Sequence, residues 1–290
     1  MRRKVRVGDL LVGDGEPCMI VAEIGINHNG SLETAKRLID EAVAAGCNAV
    51  KFQKRTVDVV YSPEELARPR ESPFGATNGD LKRGLEFGRA AYEEIDRYCR
   101  AKPILWTASC WDHGSVDFIE AFAPPFYKIA SACLTDDELL RHQRRTGRPI
   151  VLSTGMSTME QIRHAVDVLG GDDDLIILHC TSTYPSQPHE LNLRMVQNLR
   201  EEFECPIGYS GHEVGLATTV AAVMLGASMI ERHITLDRSI WGTDQSASVE
   251  PQGFRRLVRD VRACELALGD GIKKVYESER PIMAKLRRIG

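Results

Sequence analysis

The sequence predicts an α/β fold: a closed (β/α)8 TIM barrel with an N-terminal β-hairpin and a short C-terminal tail. Eight short apolar runs, each bounded by turn residues, alternate with amphipathic helical stretches. The runs are apolar almost throughout, as strands covered on both faces must be. The first run leads into EIGINHNG, which lacks the G-x-G-x-x-G turn of an open doubly wound sheet.

Taken in order, residues 1–18 contain VRVGDLLVGDGEPC, a hairpin pattern placed to close the barrel floor. The barrel occupies residues 19–268, with strands at MIVAEIG, NAVKFQ, PILWTAS, FYKIAS, PIVLSTG, LIILHCT, PIGYS and SMIERHI. The clearest helix is SLETAKRLIDEAVAAG, which opens on a capping Ser and closes on Gly. PQGFRRLVRDVRACELALG follows the last strand. In LSTGMSTMEQ, Ser157 and Glu160 have capping-box spacing, and a helix start of this kind also presents free N–H groups to an anion. Residues 269–290 form a charged tail with little core pattern. The connection from Lys54 to Gly88 is long for a barrel loop. It reads either as a surface excursion or as a lid that brings Arg68, Arg70 or Lys82 to a substrate.

Composition narrows the function classes. The chain has 290 residues, 43% hydrophobic and 27% charged, which is ordinary for a soluble globular protein. A net charge of -4 carries no nucleic-acid footprint, so an anionic ligand would need a local basic site. None of the eight cysteines has C-x-x-C spacing, and most lie in apolar runs, as reduced core residues do. No apolar run approaches the roughly 20 residues that span a bilayer. The N-terminus shows no signal-type apolar core. The expectation is a cytoplasmic protein with no membrane partner.

The strands also carry charges, and an unpaired charge in an apolar strand is costly. Side-chain alternation puts Val21 with Glu23, Lys51 with Gln53, and Glu231 with His233 opposite Arg232. Lys128 stands alone in FYKIAS. Each charge falls in the C-terminal half of its strand, the end of a (β/α)8 barrel where catalytic groups collect. A structural ion-pair network is the competing explanation, and it strains to cover so many strands at one end. Lys51 and Lys128, joined at that rim by Ser131 and Ser153, suit a phosphate. His212 and His233 end the seventh and eighth strands, neighbours roughly 4.8 Å apart. Two imidazoles there can hold one divalent metal, with Mn, Fe, Co or Zn all compatible, and Glu23 and Asp244 can orient its waters. His28, His179 and His189 are further candidates.

The motifs AEIGINHNG, VKFQ, YKIAS, LSTGM, GYSGH and IERHITL, followed by GTDQSASVEP, together resemble the sialic acid synthase (N-acetylneuraminate synthase-like) family in order from about Ile20 to about Pro251. The resemblance implies a transferase that condenses phosphoenolpyruvate with an aldose, forms a C–C bond and releases phosphate, giving a 2-keto-3-deoxy sugar acid. It implies a divalent metal, typically Mn2+, on His212 and His233. Glu23 and Asp244 would act on water or the sugar. Lys51, Lys128, Ser131, Ser153 and Ser210 would bind phosphoenolpyruvate, with Gln53, Tyr184 and Ser182 lining the same pocket. The family also tends to form homodimers. Departures from the pattern lie on the sugar side. TASCWD replaces a Ser-Thr-Pro-Phe type turn, Cys133 stands for a Glu and Ser182 for an Asn. The antifreeze-like domain that usually follows the barrel is expected to be missing after LRRIG, leaving the 54–88 segment to cover the site. Two other readings share the same residues: a metal-dependent pyruvate aldolase or lyase, and a non-catalytic sugar-phosphate-binding barrel.

Overall fold

The structure, a computed structural model, describes residues 4–289. β1 (Val5–Val7) and β2 (Leu10–Val12) pair as an antiparallel hairpin. The chain then runs β3 (Met19–Gly25), α1 (Leu32–Ala45) and β4 (Ala49–Lys54). The long connection holds α2 (Val57–Val60), α3 (Pro63–Leu66), a second hairpin β5 (Pro69–Ser72) and β6 (Gly75–Thr77), and α4 (Asn78–Leu85). Regular alternation resumes with α5 (Arg89–Arg100), β7 (Leu105–Cys110), α6 (His113–Glu120), β8 (Tyr127–Ile129) and α7 (Asp137–Arg144). It ends with β9 (Ile150–Ser153), α8 (Met159–Val168), β10 (Leu175–Cys180), α9 (Met195–Glu202), β11 (Ile207–Gly211), α10 (Ala217–Met224), β12 (Met229–His233) and α11 (Pro251–Leu268). An exposed helix, α12 (Arg280–Leu286), lies in the tail.

Eight of these strands are parallel and close into one barrel in the order β10-β11-β12-β3-β4-β7-β8-β9. Alternation decides the two layers. Met19, Val21, Ala49, Val151, Ile176, Leu178 and Met229 point inward and pack against Val5, Val7 and Val12, so the N-terminal hairpin does plug the floor. Ile20, Ala22, Val50, Phe52 and their equivalents point outward to the helices. With the floor apolar and sealed, polar inward positions can appear only towards the C-terminal end.

The capping chemistry is local. Ser31 Oγ accepts from the Thr34 N–H at 3.1 Å, and Gly46 ends α1 in the left-handed region at φ 85°. For α8 the sequence pattern is one residue early. Thr158 caps, and Gln161 returns the bond in place of Ser157 and Glu160. Met156 takes a left-handed turn at φ 60°, so the helix starts one residue later, and Ser157 Oγ donates to the Gly155 carbonyl. The 54–88 connection is ordered too: α4 opens on a reciprocal Thr77–Asp80 box. No helix among the described residues is long and apolar enough to cross a membrane.

Arg232 faces away from the barrel interior. Its guanidinium donates to Glu213 Oε1 at 3.1 Å, Thr219 Oγ1 at 2.6 Å and the Gly215 carbonyl at 2.9 Å, tying β12 to the start of α10. Both charged partners are buried, and removing one strands the other. Arg232→Met is expected to lower the unfolding free energy by roughly 3–5 kcal/mol. The check is a lower urea midpoint with an unchanged slope.

Candidate active site

The inward positions at the C-terminal end of the barrel surround a cavity of about 230 Å³. Its wall contains Glu23, Lys51, Gln53, Lys128, Ser131, Ser153, Ser182, Tyr184, Ser210, His212 and His233. Asp244 is outside that wall, but its Oδ2 lies 3.8 Å from His233 Nδ1. His28, His179 and His189 are elsewhere. His28 stacks on Phe87 and accepts from the Gly30 N–H, His179 Nε2 bonds the Leu191 carbonyl, and His189 is exposed. Arg68 and Arg70 are exposed and Lys82 sits 4.9 Å over the Tyr61 ring; none of the three is in the wall.

The centre of the cavity is a charge network built by neighbouring strands. Lys51 Nζ lies 2.8 Å from Glu23 Oε2 and donates to Ser109 Oγ at 3.0 Å. Lys128 Nζ donates to Ser153 Oγ at 2.6 Å. Glu231 Oε1 lies between the two ammonium groups, 3.8 Å from Lys51 and 3.6 Å from Lys128, and accepts from Ser210 Oγ at 3.1 Å. Burial pushes Glu23 up to about 7, against the pull of Lys51 and with help from Glu231. Burial also raises Glu231, but Lys128 and Lys51 outweigh it and the net direction is downward. One firmly ionised carboxylate therefore faces two lysines. The two lysines and the carboxylate between them form a buried charge cluster at the centre of the cavity.

Two glycines make room for it. Gly25 sits at φ 52°, where β3 shifts register against β4, and a Cβ there would lie 3.0 Å from Glu23 Oε1. A Cβ on Gly155 would come 2.1 Å from Ser182 Oγ and 2.8 Å from Ser131 Oγ, while the Gly155 N–H donates to Ser131 Oγ. Only glycine lets these hydroxyls converge.

The imidazoles of His212 and His233 are 5.4 Å apart between ring centroids, and the Tyr184 ring flanks both, at 4.1 and 5.6 Å. His212 Nδ1 bonds the Thr181 carbonyl at 2.8 Å, so Nε2 is the ring nitrogen left for a further partner. Burial, together with His212 and Lys51, holds His233 well below its ordinary value, so the ring is neutral. Its Nδ1 is buried with no hydrogen-bond partner. Among the described residues no three His, Cys, Asp or Glu side chains converge as a ready-made metal cluster. The available donors are two imidazoles with carboxylates behind them.

Several groups in this site lie outside the sequence-derived assignments, among them Glu231, Cys180 and Trp111. Glu231 shares a face with His233 in the sequence pattern, but its place between two lysines needs the strand order. Cys180 lines the cavity instead of filling the outer core. It follows Ile176 and Leu178 on the inner face, so alternation carried the signal. Burial raises its thiol, yet His212 and Lys128 prevail and bring it down to about 7. Trp111 lies just past the end of β7, where periodicity says nothing.

A sequence model of the NeuB family matches residues 38–273. The chain is 41% identical to the N-acetylneuraminate-9-phosphate synthase of Homo sapiens, over 95% of this chain and 78% of that protein. It is 35% identical to the N,N'-diacetyllegionaminic acid synthase of Legionella pneumophila, over 95% of this chain and 80% of that one. Among solved structures, the N-acetylneuraminic acid (sialic acid) synthetase of Leptospira borgpetersenii, in complex with citrate, superposes with a TM-score of 0.86 at 30% identity, covering 100% of this chain and 99% of that one.

The network predicts a pH-dependent stability defect. Glu231→Gln leaves two buried ammonium groups without their shared carboxylate, costing roughly 1–3 kcal/mol at pH 7. Burial already lowers Lys128; burial also pulls on Lys51, but Glu23 and Glu231 hold it above its ordinary value, and removing the Glu231 charge moves both lysines downward. A lysine with a lowered folded-state pKa costs stability below that pKa, and the cost is relieved as pH rises towards the ordinary 10.5. Urea midpoints from pH 7 to 10 should show the gap between variant and wild type narrowing; a constant gap would contradict the network.

Proposed function

As the chain belongs to the NeuB family, we propose that it condenses phosphoenolpyruvate with an aldose to give a nonulosonate-type 2-keto-3-deoxy sugar acid, releasing phosphate. The observation that carries the reading is the convergence of Lys51 and Lys128 in the same cavity as His212 and His233. The barrel, residues 19–268, is the catalytic unit in this reading.

Lys51 and Lys128, with Ser131, Ser153 and Ser210, hold the anionic groups of phosphoenolpyruvate and aim its C3 at the acceptor. Much of the acceleration then comes from orientation. A bond forms between C3 and the aldehyde carbon, water adds at C2, and the C2–O bond to phosphate breaks. Glu23, titrating near neutrality, is suited to exchange a proton with that water. His212 Nε2 and the orphaned His233 nitrogen would hold a divalent ion, Mn2+ by family resemblance, with Glu23 and Asp244 as the carboxylates that would orient its waters. Such an ion supplies a Lewis acid for the aldehyde oxygen. Gln53, Tyr184 and Ser182 line the space left for the acceptor.

Incubation with phosphoenolpyruvate, Mn2+ and a panel of aldoses should release inorganic phosphate only with the right acceptor. His233→Ala or His212→Ala should cut turnover by about 100-fold or more, because a Lewis acid is worth several kcal/mol, while the circular dichroism spectrum stays unchanged. Full activity in either variant removes the metal assignment. Independently, saturating phosphoenolpyruvate should raise the melting temperature of the wild type, and Lys51→Ala should blunt the rise.

A further inference from the structure

Arg55 is the first residue after β4 and is only 3% exposed. It is absent from the cavity wall, yet it touches two residues that form it. Its guanidinium lies 4.9 Å over the Trp111 ring, and its Nη2 donates to Gln53 Oε1. Gln53 Nε2 in turn donates to Glu23 Oε1 at 3.1 Å. On its other side Arg55 is gripped by Glu86, the residue after α4. Arg55 Nε lies 3.5 Å from Glu86 Oε1, the Arg55 backbone N–H donates to Glu86 Oε2 at 3.3 Å, and Lys54 Nζ donates to the same oxygen at 3.2 Å.

We propose that Arg55 is a positioning residue that fixes the Gln53 amide, and so presents its NH2 group to Glu23, while Glu86 anchors Arg55 to the far end of the 54–88 excursion. The physical reason is the two-sidedness of an amide. With the guanidinium claiming Oε1, only Nε2 is left for the carboxyl group. A flipped amide would set NH2 against the Arg55 cation, and that contact repels. Stacking on Trp111 holds the planar fork in place, which a lysine could not reproduce. The excursion then serves the site through the residue that follows β4.

This inference rests on the cavity being the active site, so its test has two readouts. In the first, kcat/KM is measured by phosphate release for wild type, Arg55→Met, Gln53→Ala and the double variant. Arg55→Met is expected to lose roughly 10-fold or more, and the double variant to be no worse than Gln53→Ala alone, because coupled residues are non-additive. Losses that multiply, or a folded Arg55→Met with wild-type kcat/KM, would overturn the proposal. If Arg55→Met fails to fold, Arg55→Lys takes its place in the cycle with the same expectation. The second readout needs no turnover. The side-chain NH2 signals of Gln53, identified by their loss in Gln53→Ala, should shift in the 15N-edited spectrum of Arg55→Met or Arg55→Lys; unmoved signals overturn the proposal. A wild type that turns over no aldose defeats the functional reading, and the amide signals still decide the role of Arg55.

Discussion

Two buried ammonium groups sharing one carboxylate constrain the rest of this site. Lys51 and Lys128 are buried side chains that point into a barrel whose floor is sealed by valines. Glu231 compensates one positive charge, and the Ser109 and Ser153 hydroxyls satisfy part of the remaining donor capacity. Glu23, held towards its neutral form, gives only partial help. In the proposed reading a phosphorylated carboxylate brings further negative charge to the two ammonium groups, which a neutral sugar does not. Other features of the site follow from keeping that arrangement intact. The Gly25 bulge lets Glu23 approach Gln53, Gly155 lets two serines converge, and the Arg232–Glu213 pair secures β12 from outside without intruding on the interior.

The fold was legible because every strand of a closed parallel barrel obeys the same rule. A short apolar run covered on both faces, repeated eight times, leaves little choice of architecture. The charges at the rim were legible in part: alternation paired Lys51 with Gln53 and Glu231 with His233, and these charges, with Glu23 and Lys128, all fell in the C-terminal halves of their strands. Alternation does not say which strands are adjacent in space. The role of Glu231 depends on β12 lying between β11 and β3, and on the lysines of β4 and β8 reaching across the lumen to it. Helix starts were legible to within a residue. The slip at Thr158 came from the left-handed Met156, which no capping pattern encodes.

Beyond the strand ends, legibility stops. Trp111, Arg55 and the Glu86 that holds it lie where neither periodicity nor composition marks a function. Sequence reasoning placed importance on the 54–88 segment but looked to Arg68, Arg70 and Lys82, the cations most prominent in its middle. The structure puts its strongest link to the cavity at the two ends, where Arg55 and Glu86 meet. The middle of the excursion packs as its own short helices and hairpin, whereas its ends are held by the strand and helix they join. The charged wall of the cavity is thus written in strand periodicity, and the Gln53–Trp111 side in contacts between loop ends.

The account stands or falls on one cavity holding both an anion on its lysines and a metal ion on its imidazoles. A crystal soaked with phosphoenolpyruvate and Mn2+, with anomalous data collected to locate manganese, tests this directly. The account predicts phosphate density against Lys51 and Lys128 and a manganese peak bound by both His212 and His233. A manganese peak away from those imidazoles, or phosphoenolpyruvate bound outside the barrel lumen, would contradict it.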